Sequence, residues 1–304
     1  MSRFTSRLAL AASALTVTAL ALTACGSSAS LEGPASSESP GGTSDTITIG
    51  SQAYYSNEII AEIYAQALEG AGFTVTRKFN IGQREAIIPS VQDGTIQLTP
   101  EYTGNLLQFF DKQTTATTAD DVFAALQKAL PSGLKVLDQS PATDQDSYNV
   151  TAAFAKEHNL KSIGDLAGIS PLVLGGAPEL EQRPYGPSGL KEKYGVDVTF
   201  SGTADTTVDE LVAGNIQVAN VYSADPRIKT QNLVTLEDPK GLFLASHVVP
   251  LVSSSFPSDA AAVVNKVSAA LTAEDLVAMN VQSRQDEKSS KDIARGWLSE
   301  HSIG

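Results

Sequence analysis

Two stretches of this chain repeat one pattern. Gly94-Thr95-Ile96-Gln97-Leu98 and Gly214-Asn215-Ile216-Gln217-Val218 both read Gly-x-Ile-Gln-apolar, and each is followed by a tyrosine, Tyr102 or Tyr222, at the same offset from its glycine. Each unit closes a helix-like segment and opens a short apolar strand. In the first unit Thr99-Pro100 reads as an N-cap followed by proline at the first helical position. That reading puts Tyr102 in the first turn of a helix, just past the carboxyl end of a strand, where open α/β sheets bind ligands. Two such units so far apart predict two similar lobes, each presenting a tyrosine.

The rest of the chain supports this division. Thr46 to Gly50 alternates like a first strand, and Gln52, Tyr54 and Tyr55 fall in the loop at its carboxyl end. Ser56 or Asn57 is placed to cap a helix that stops at Gly70 to Gly72. Phe73 to Phe79 reads as a second strand and Arg84 to Gln92 as a helix, with a kink possible at Pro89. A helix is expected from Thr118 to Leu130 and a strand from Leu134 to Leu137. Tyr148 to Phe154 reads as a strand crossing into a second lobe. That lobe shows Leu172 to Leu174, Val196 to Phe200 and Ile216 to Val221 as strands, with helices near Pro178 or Pro187 and over Thr206 to Ala213. Leu242 to Val252 reads as the return crossing, and three helices close the chain. Strands alternating with helices imply an α/β fold. Two crossings make the first lobe discontinuous, at 45–147 with 249–304, and the second continuous at 148–248.

Hydrophobic content of 42% and charged content of 18% describe a chain that can bury two cores. Lys+Arg of 21 against Asp+Glu of 34 gives a net charge of −13, which argues against a nucleic-acid partner. Arg3 and Arg7 precede an apolar core from Leu8 to Ala24, about seventeen residues and short for a bilayer span. Residues 1–24 therefore read as a leader and residues 25–44, rich in Ser, Gly and Pro, as a flexible tether. Leu22-Thr23-Ala24-Cys25 resembles the lipobox of bacterial lipoproteins, in which the cysteine carries lipid; Cys25 is also the single cysteine.

Lipobox, tether and two lobes with two crossings resemble the substrate-binding proteins of bacterial ABC importers. The resemblance is closest to those of quaternary-ammonium uptake systems for glycine betaine, carnitine and choline. It is carried by Ile47-Thr48-Ile49-Gly50-Ser51-Gln52, Asn80-Ile81-Gly82, Pro100-Glu101-Tyr102-Thr103-Gly104, Val221-Tyr222-Ser223-Ala224-Asp225 and the closing run from Leu271 to Leu298. The resemblance implies a type II periplasmic-binding-protein fold with a ligand cleft between lobes and a ligand ammonium boxed by tyrosines. Cation–π attraction of roughly 0.5–2 kcal/mol per contact suits a cation that cannot donate hydrogen bonds. Tyr102, Tyr148 and Tyr222 fall at box positions, and Gln52 matches the family's glutamine after the first strand. The chain departs from the family at Thr99, where a tyrosine is usual, at Val208, and at Arg84. Arg84 suits a carboxylate by its two-pronged geometry, and Asp144 and Asp146 suit an amine. The ligand expected from these departures is a zwitterion or amine-carboxylate, and a four-tyrosine betaine box is not expected.

The candidate ligand residues are therefore Gln52, Arg84, Thr99, Tyr102, Asp146, Tyr148 and Tyr222. Plainer roles are open to five of them: Tyr102 as a core filler, Tyr148 as a strand tyrosine in a lobe interface, Arg84 as a solvated helix start, Asp146 as a cap or turn residue and Gln52 as a partner for loop backbone. No catalytic residue, metal site or cofactor is expected. The three histidines lack ligand spacing, and no nucleophile elbow or phosphate loop is present. The expected partners are a small ligand, a membrane permease and the bilayer reached through lipid on Cys25, with the chain acting as a monomer on the extracytoplasmic face. An enzyme on the same fold and a ligand-sensing lipoprotein are the alternatives.

Overall fold

The structure, a computed structural model of the chain, describes residues 46–303. The leader, the tether and Cys25 lie outside the described residues. Strands β1 (Ile47–Gly50), β2 (Val75–Lys78), β3 (Leu98–Tyr102) and β4 (Leu134–Val136) enter a first sheet. A second sheet takes β5 (Asp146–Thr151), β6 (Val173–Gly176), β7 (Thr199–Gly202), β8 (Val218–Tyr222) and β9 (Leu233–Thr235), after which β10 (Val248–Ser253) returns to the first. The orders, β2-β1-β3-β10-β4 and β7-β6-β8-β5-β9, are the same arrangement used twice. In each sheet one strand from the far side of a crossing runs antiparallel to its neighbours: β10 against β3 and β4, β5 against β8 and β9. Separate apolar clusters fill the two faces of each sheet, which is why β3 and β10 are buried along their whole length.

The repeated Gly-x-Ile-Gln unit has a structural explanation. Gly94 and Gly214 turn out of a helix at φ +81° and +80°, a conformation that side chains strain to adopt. Ile96 and Ile216 then pack over Gly50 and Gly175, where an added Cβ would lie 2.9 Å and 2.3 Å from the isoleucine. Gln97 and Gln217 extend the parallel pairing by one rung. The Gln97 amide donates to the Thr48 carbonyl while its side-chain oxygen accepts from the Thr48 N–H at 2.6 Å. Gln217 does the same to both backbone groups of Val173. The unit is the device that joins a helix to the central strand of each sheet.

Thr99-Pro100 does not start a helix. Both residues lie inside β3, and the helix begins at Thr103, with Tyr102 at its N-cap. Proline is tolerated there because Pro100 faces Pro250 of β10 at a pair that exchanges no hydrogen bonds. Their carbonyls point apart, to Asn57 Nδ2 at 3.1 Å and to the Leu137 N–H. Helix α1 (Tyr55–Gly70) has no side-chain cap; Asn57 instead ties the loop after β1 to β3. Helix α2 (Arg84–Gln92) contains Pro89 as expected, and α3 spans Thr103–Phe110.

The crossings lie one step before the segments expected for them. β5 already belongs to the second sheet and ends at Thr151, whose side chain caps a helix over Ala152–His158. The connections themselves run side by side. Thr143 bridges His247, Ser140 N donates to Val248 O, and Asp144 N donates to Ser246 O. The closing helices, Ser258–Ala270, Ala273–Arg284 and Ser290–Glu300, pack beside α1 on the first sheet.

Candidate functional site

The carboxyl ends of β1, β3, β6 and β8 face one cleft, as the strand topology requires. The first wall grows out of Pro100-Glu101-Tyr102-Thr103-Gly104-Asn105. Glu101 is fully buried and accepts from Arg84 Nε (2.9 Å) and Nη2 (2.7 Å), Gln52 Nε2 (3.2 Å) and the Tyr102 N–H (3.2 Å). Burial opposes the charge on Arg84, but the coulombic pull and hydrogen bonds of Glu101 outweigh it and raise the guanidinium's pKa. Thr103 exchanges hydrogen bonds with the backbone of His247, and the Gly104 N–H donates to Ser246 Oγ. A Cβ on Gly104 would stand 2.8 Å from the Ala245 carbonyl, so this motif position is set by the close approach of the return connection.

The second wall repeats the plan at the end of β8. Ser223 exchanges hydrogen bonds with the backbone of Gln145, and the Ala224 N–H donates to Asp144 Oδ1 at 2.9 Å. Tyr222 stands opposite Asp146, the first residue of β5. Tyr185 completes this wall, its backbone carbonyl held by the hydroxyl of Tyr148.

Four tyrosines, Tyr54, Tyr102, Tyr185 and Tyr222, line a narrow inner chamber. Tyr54 and Tyr222 come from opposite walls and lie near-parallel, 5.9 Å between ring centres at 17°. Tyr102 is 3% exposed, and its hydroxyl closes no hydrogen bond of normal geometry. Asn105 links the walls: it donates to Asp146 Oδ2 (2.6 Å) and to the Tyr185 hydroxyl (2.9 Å), and it accepts from Ser246 Oγ (2.9 Å). Arg183 reaches across to Glu85 at 2.6 Å. A wider outer chamber adjoins, lined by Tyr55, Asp144, Val208, Asp225 and Arg227 among others.

Burial pushes Tyr54, Tyr102 and Tyr185 above the usual phenol range, so the rings stay neutral and keep their electron-rich faces. Desolvation likewise raises Asp146, against hydrogen bonds that include Asn105. Asp144 is pushed up to about 7, first by burial and then by the nearby carboxylates Asp146 and Asp225, against the hydrogen bond from Ala224. The arrangement offers aromatic faces beside two buried carboxyls whose ionisation a positive guest would favour.

Gln52, Arg84, Tyr102, Asp146 and Tyr222 all line the inner chamber. Thr99 does not: it is wholly buried within β3 and its hydroxyl is unpartnered. Tyr148 does not line it either, since its ring packs in the second core against Phe243 and acts on the site only through Tyr185. Val208 is buried in the outer wall. Arg84 is no open carboxylate clamp, because Glu101 already occupies its fork. The expectation against four tyrosines is also overturned, by Tyr54 and Tyr185. Tyr54 carried a signal, standing two residues after Gln52 beyond β1. Tyr185, in Pro184-Tyr185-Gly186-Pro187, carried none, because its place depends on the Tyr148 contact. Among the described residues no cluster of His, Cys, Asp or Glu is arranged to hold a metal.

A family model described as the substrate-binding domain of ABC-type glycine betaine transport systems matches residues 45–300. The chain is 23% identical over 274 residues to the glycine betaine-binding protein YehZ of Escherichia coli K12, covering 83% of this chain and 89% of that protein. The carnitine transport binding protein OpuCC of Listeria monocytogenes is 22% identical over 276 residues, covering 85% and 87%. A solved glycine betaine/carnitine/choline ABC transporter protein superposes with TM-score 0.69 at 21% identity, over 84% of this chain and all but 1% of that one (99% covered). This solved structure shows the same fold, two mixed α/β sheets in the type II periplasmic-binding-protein arrangement.

Proposed function

The chain belongs to the family of substrate-binding domains of ABC-type glycine betaine transport systems, and from that premise we propose that it captures a small quaternary ammonium compound in the tyrosine-lined cleft and hands it to a membrane permease. The observation that carries this reading is the convergence of Tyr54, Tyr102, Tyr185 and Tyr222 from both walls beside the buried Asp146. A methylated ammonium has no N–H to donate, so aromatic faces and a nearby carboxylate are what it can use. Ligand contact with both walls favours the form in which they meet. Asn105 and the Arg183–Glu85 pair already span them. In this reading the lobes divide where the sheets do, 45–145 with 248–304 and 146–247, and the protein is a monomer anchored outside the membrane through lipid on Cys25, without enzymatic activity. Among the described residues no helix is long and apolar enough to cross a membrane.

The test is a thermal-shift series with glycine betaine, choline, carnitine, amino acids and sugars. A ligand at 100 times its Kd adds about 2.7 kcal/mol to stability, so the quaternary ammonium compounds should raise Tm and the sugars leave it unchanged. A shift from a sugar or an ordinary amino acid, with none from any quaternary ammonium, would overturn the reading.

A further inference from the structure

We propose that the cleft selects a ligand of net positive charge, a quaternary ammonium whose other end is uncharged, over a zwitterion that carries a carboxylate beside its ammonium. The proposal rests on the quaternary-ammonium reading above and fixes the second half of the ligand. Its basis is the charge inventory of the walls. Each arginine lining the two chambers already faces a carboxylate: Arg84 meets Glu101 at 2.7 Å, Arg183 meets Glu85 at 2.6 Å, and Arg227 meets Asp225 at 2.7 Å. Among the described residues no lysine lines either chamber. Asp146 and Glu179 in the inner chamber, with Asp144 and Asp205 in the outer one, are left without an ion-pair partner among the described residues. A second carboxylate brought in by the ligand would meet this surplus at close range, in a site where charges are poorly screened.

The molecule holds its own control for whether the fold needs these acids. Tyr102 pairs with Val248 and Tyr222 with Asp146, so Asp146 stands where the other half has valine. Asp144 accepts the Ala224 N–H as Ser246 accepts the Gly104 N–H, so a serine hydroxyl serves that backbone contact. The architecture is built once with Ser246 and Val248 and once with Asp144 and Asp146, both acids buried at the cleft. The acids are therefore surplus to the folding task and are available to a cation.

Calorimetric titration of the purified protein at pH 8 with choline, tetramethylammonium and glycine betaine tests this. Choline should bind at least about tenfold tighter than glycine betaine, and that ratio should fall toward one in Asp146→Asn and in Asp144→Ser. The ratio is taken within each variant, so a loss of folded fraction does not distort it. Glycine betaine binding as tightly as choline, as it would if the amides opening α2 held its carboxylate, would overturn the proposal. So would an unchanged ratio in both variants. No binding by any of the three would overturn the tyrosine-cage reading itself, and the charge preference with it.

Discussion

The Tyr102 and Tyr222 walls are assembled from the same parts and do different things. Both begin with a left-handed glycine, an isoleucine over a glycine and a glutamine rung, and both run through a five-residue strand to a tyrosine. Both then use a Thr or Ser and the next N–H to hold a crossing connection. Yet Tyr102 is 3% exposed on a locked Glu101–Arg84–Gln52 network, whereas Tyr222 is 36% exposed and leans on Tyr54 of the opposite wall. The residue before Tyr222 is the apolar Val221, where the first wall has Glu101. The difference teaches that the repeat supplies architecture; under the proposed function, recognition rests on the few positions where the halves disagree: Glu101 against Val221, Asp144 against Ser246, Asp146 against Val248.

Changing those positions breaks the comparison in measurable ways. The largest effect belongs to Glu101→Val, which copies Val221 and strands Arg84 in a buried site. Breaking a buried pair from one side costs about 3–5 kcal/mol, to be read from urea unfolding. Adding Arg84→Leu should restore most of that loss; if the double variant is no more stable than the single one, the pair is not what fixes this wall. Next comes Gly104→Ala, whose methyl would press on the Ala245 carbonyl and should cost about 1–3 kcal/mol. Its mirror, Ala224→Gly, should cost only about 1 kcal/mol, and equal losses would mean the two connections are held alike. Tyr222→Ala should weaken binding of a quaternary ammonium by about tenfold through lost cation–π contact. It should leave the unfolding midpoint of the unliganded protein nearly unmoved, because that ring is the exposed one.

The smallest effect is on pH. Asp144 stands at about 7 in the folded protein, raised chiefly by burial, above the value of about 3.9 for a free side chain. An acid raised on folding lends stability in its neutral form. That contribution is complete below pH about 4 and is lost as pH rises through about 7. A bound cation has the opposite preference and favours the carboxylate. Its affinity should therefore climb between pH about 5.5 and 8 with proton release, visible in calorimetry in buffers of different ionisation enthalpy. Asp144→Ser should flatten the climb, and an unchanged profile in that variant would assign the titration to another group.

Much of this plan can be read from the chain before any coordinates. Strict spacing at Gly94 and Gly214 announces two matching halves, because a left-handed turn and a close-packed isoleucine admit few residue types. The same spacing misleads at Thr99-Pro100, where local chemistry favours a helix cap. Pairing with Pro250 overrides it, since two facing prolines need no hydrogen bond between them. The chamber-lining residues next to strand ends, Gln52, Tyr102 and Tyr222, follow from topology. Tyr185 does not, since its place depends on a hydroxyl–carbonyl contact from Tyr148 across 37 residues of sequence. Arg84 was legible as a charge near the cleft, but its neutralisation by Glu101 is a matter of tertiary packing, and that changes which ligand charge fits.

Recognition of positive charge by aromatic faces is tested most directly by two ligands of one shape. Choline and 3,3-dimethylbutan-1-ol differ in a nitrogen cation against a neutral carbon, with nearly the same surface to bury. Titrated into the protein by calorimetry, choline should bind and the neutral alcohol should bind weaker by about a hundredfold or more, the cumulative effect of several cation–π contacts and a buried carboxylate. Equal affinity for the two would mean that the cleft recognises apolar shape alone and would contradict cation capture by these tyrosines.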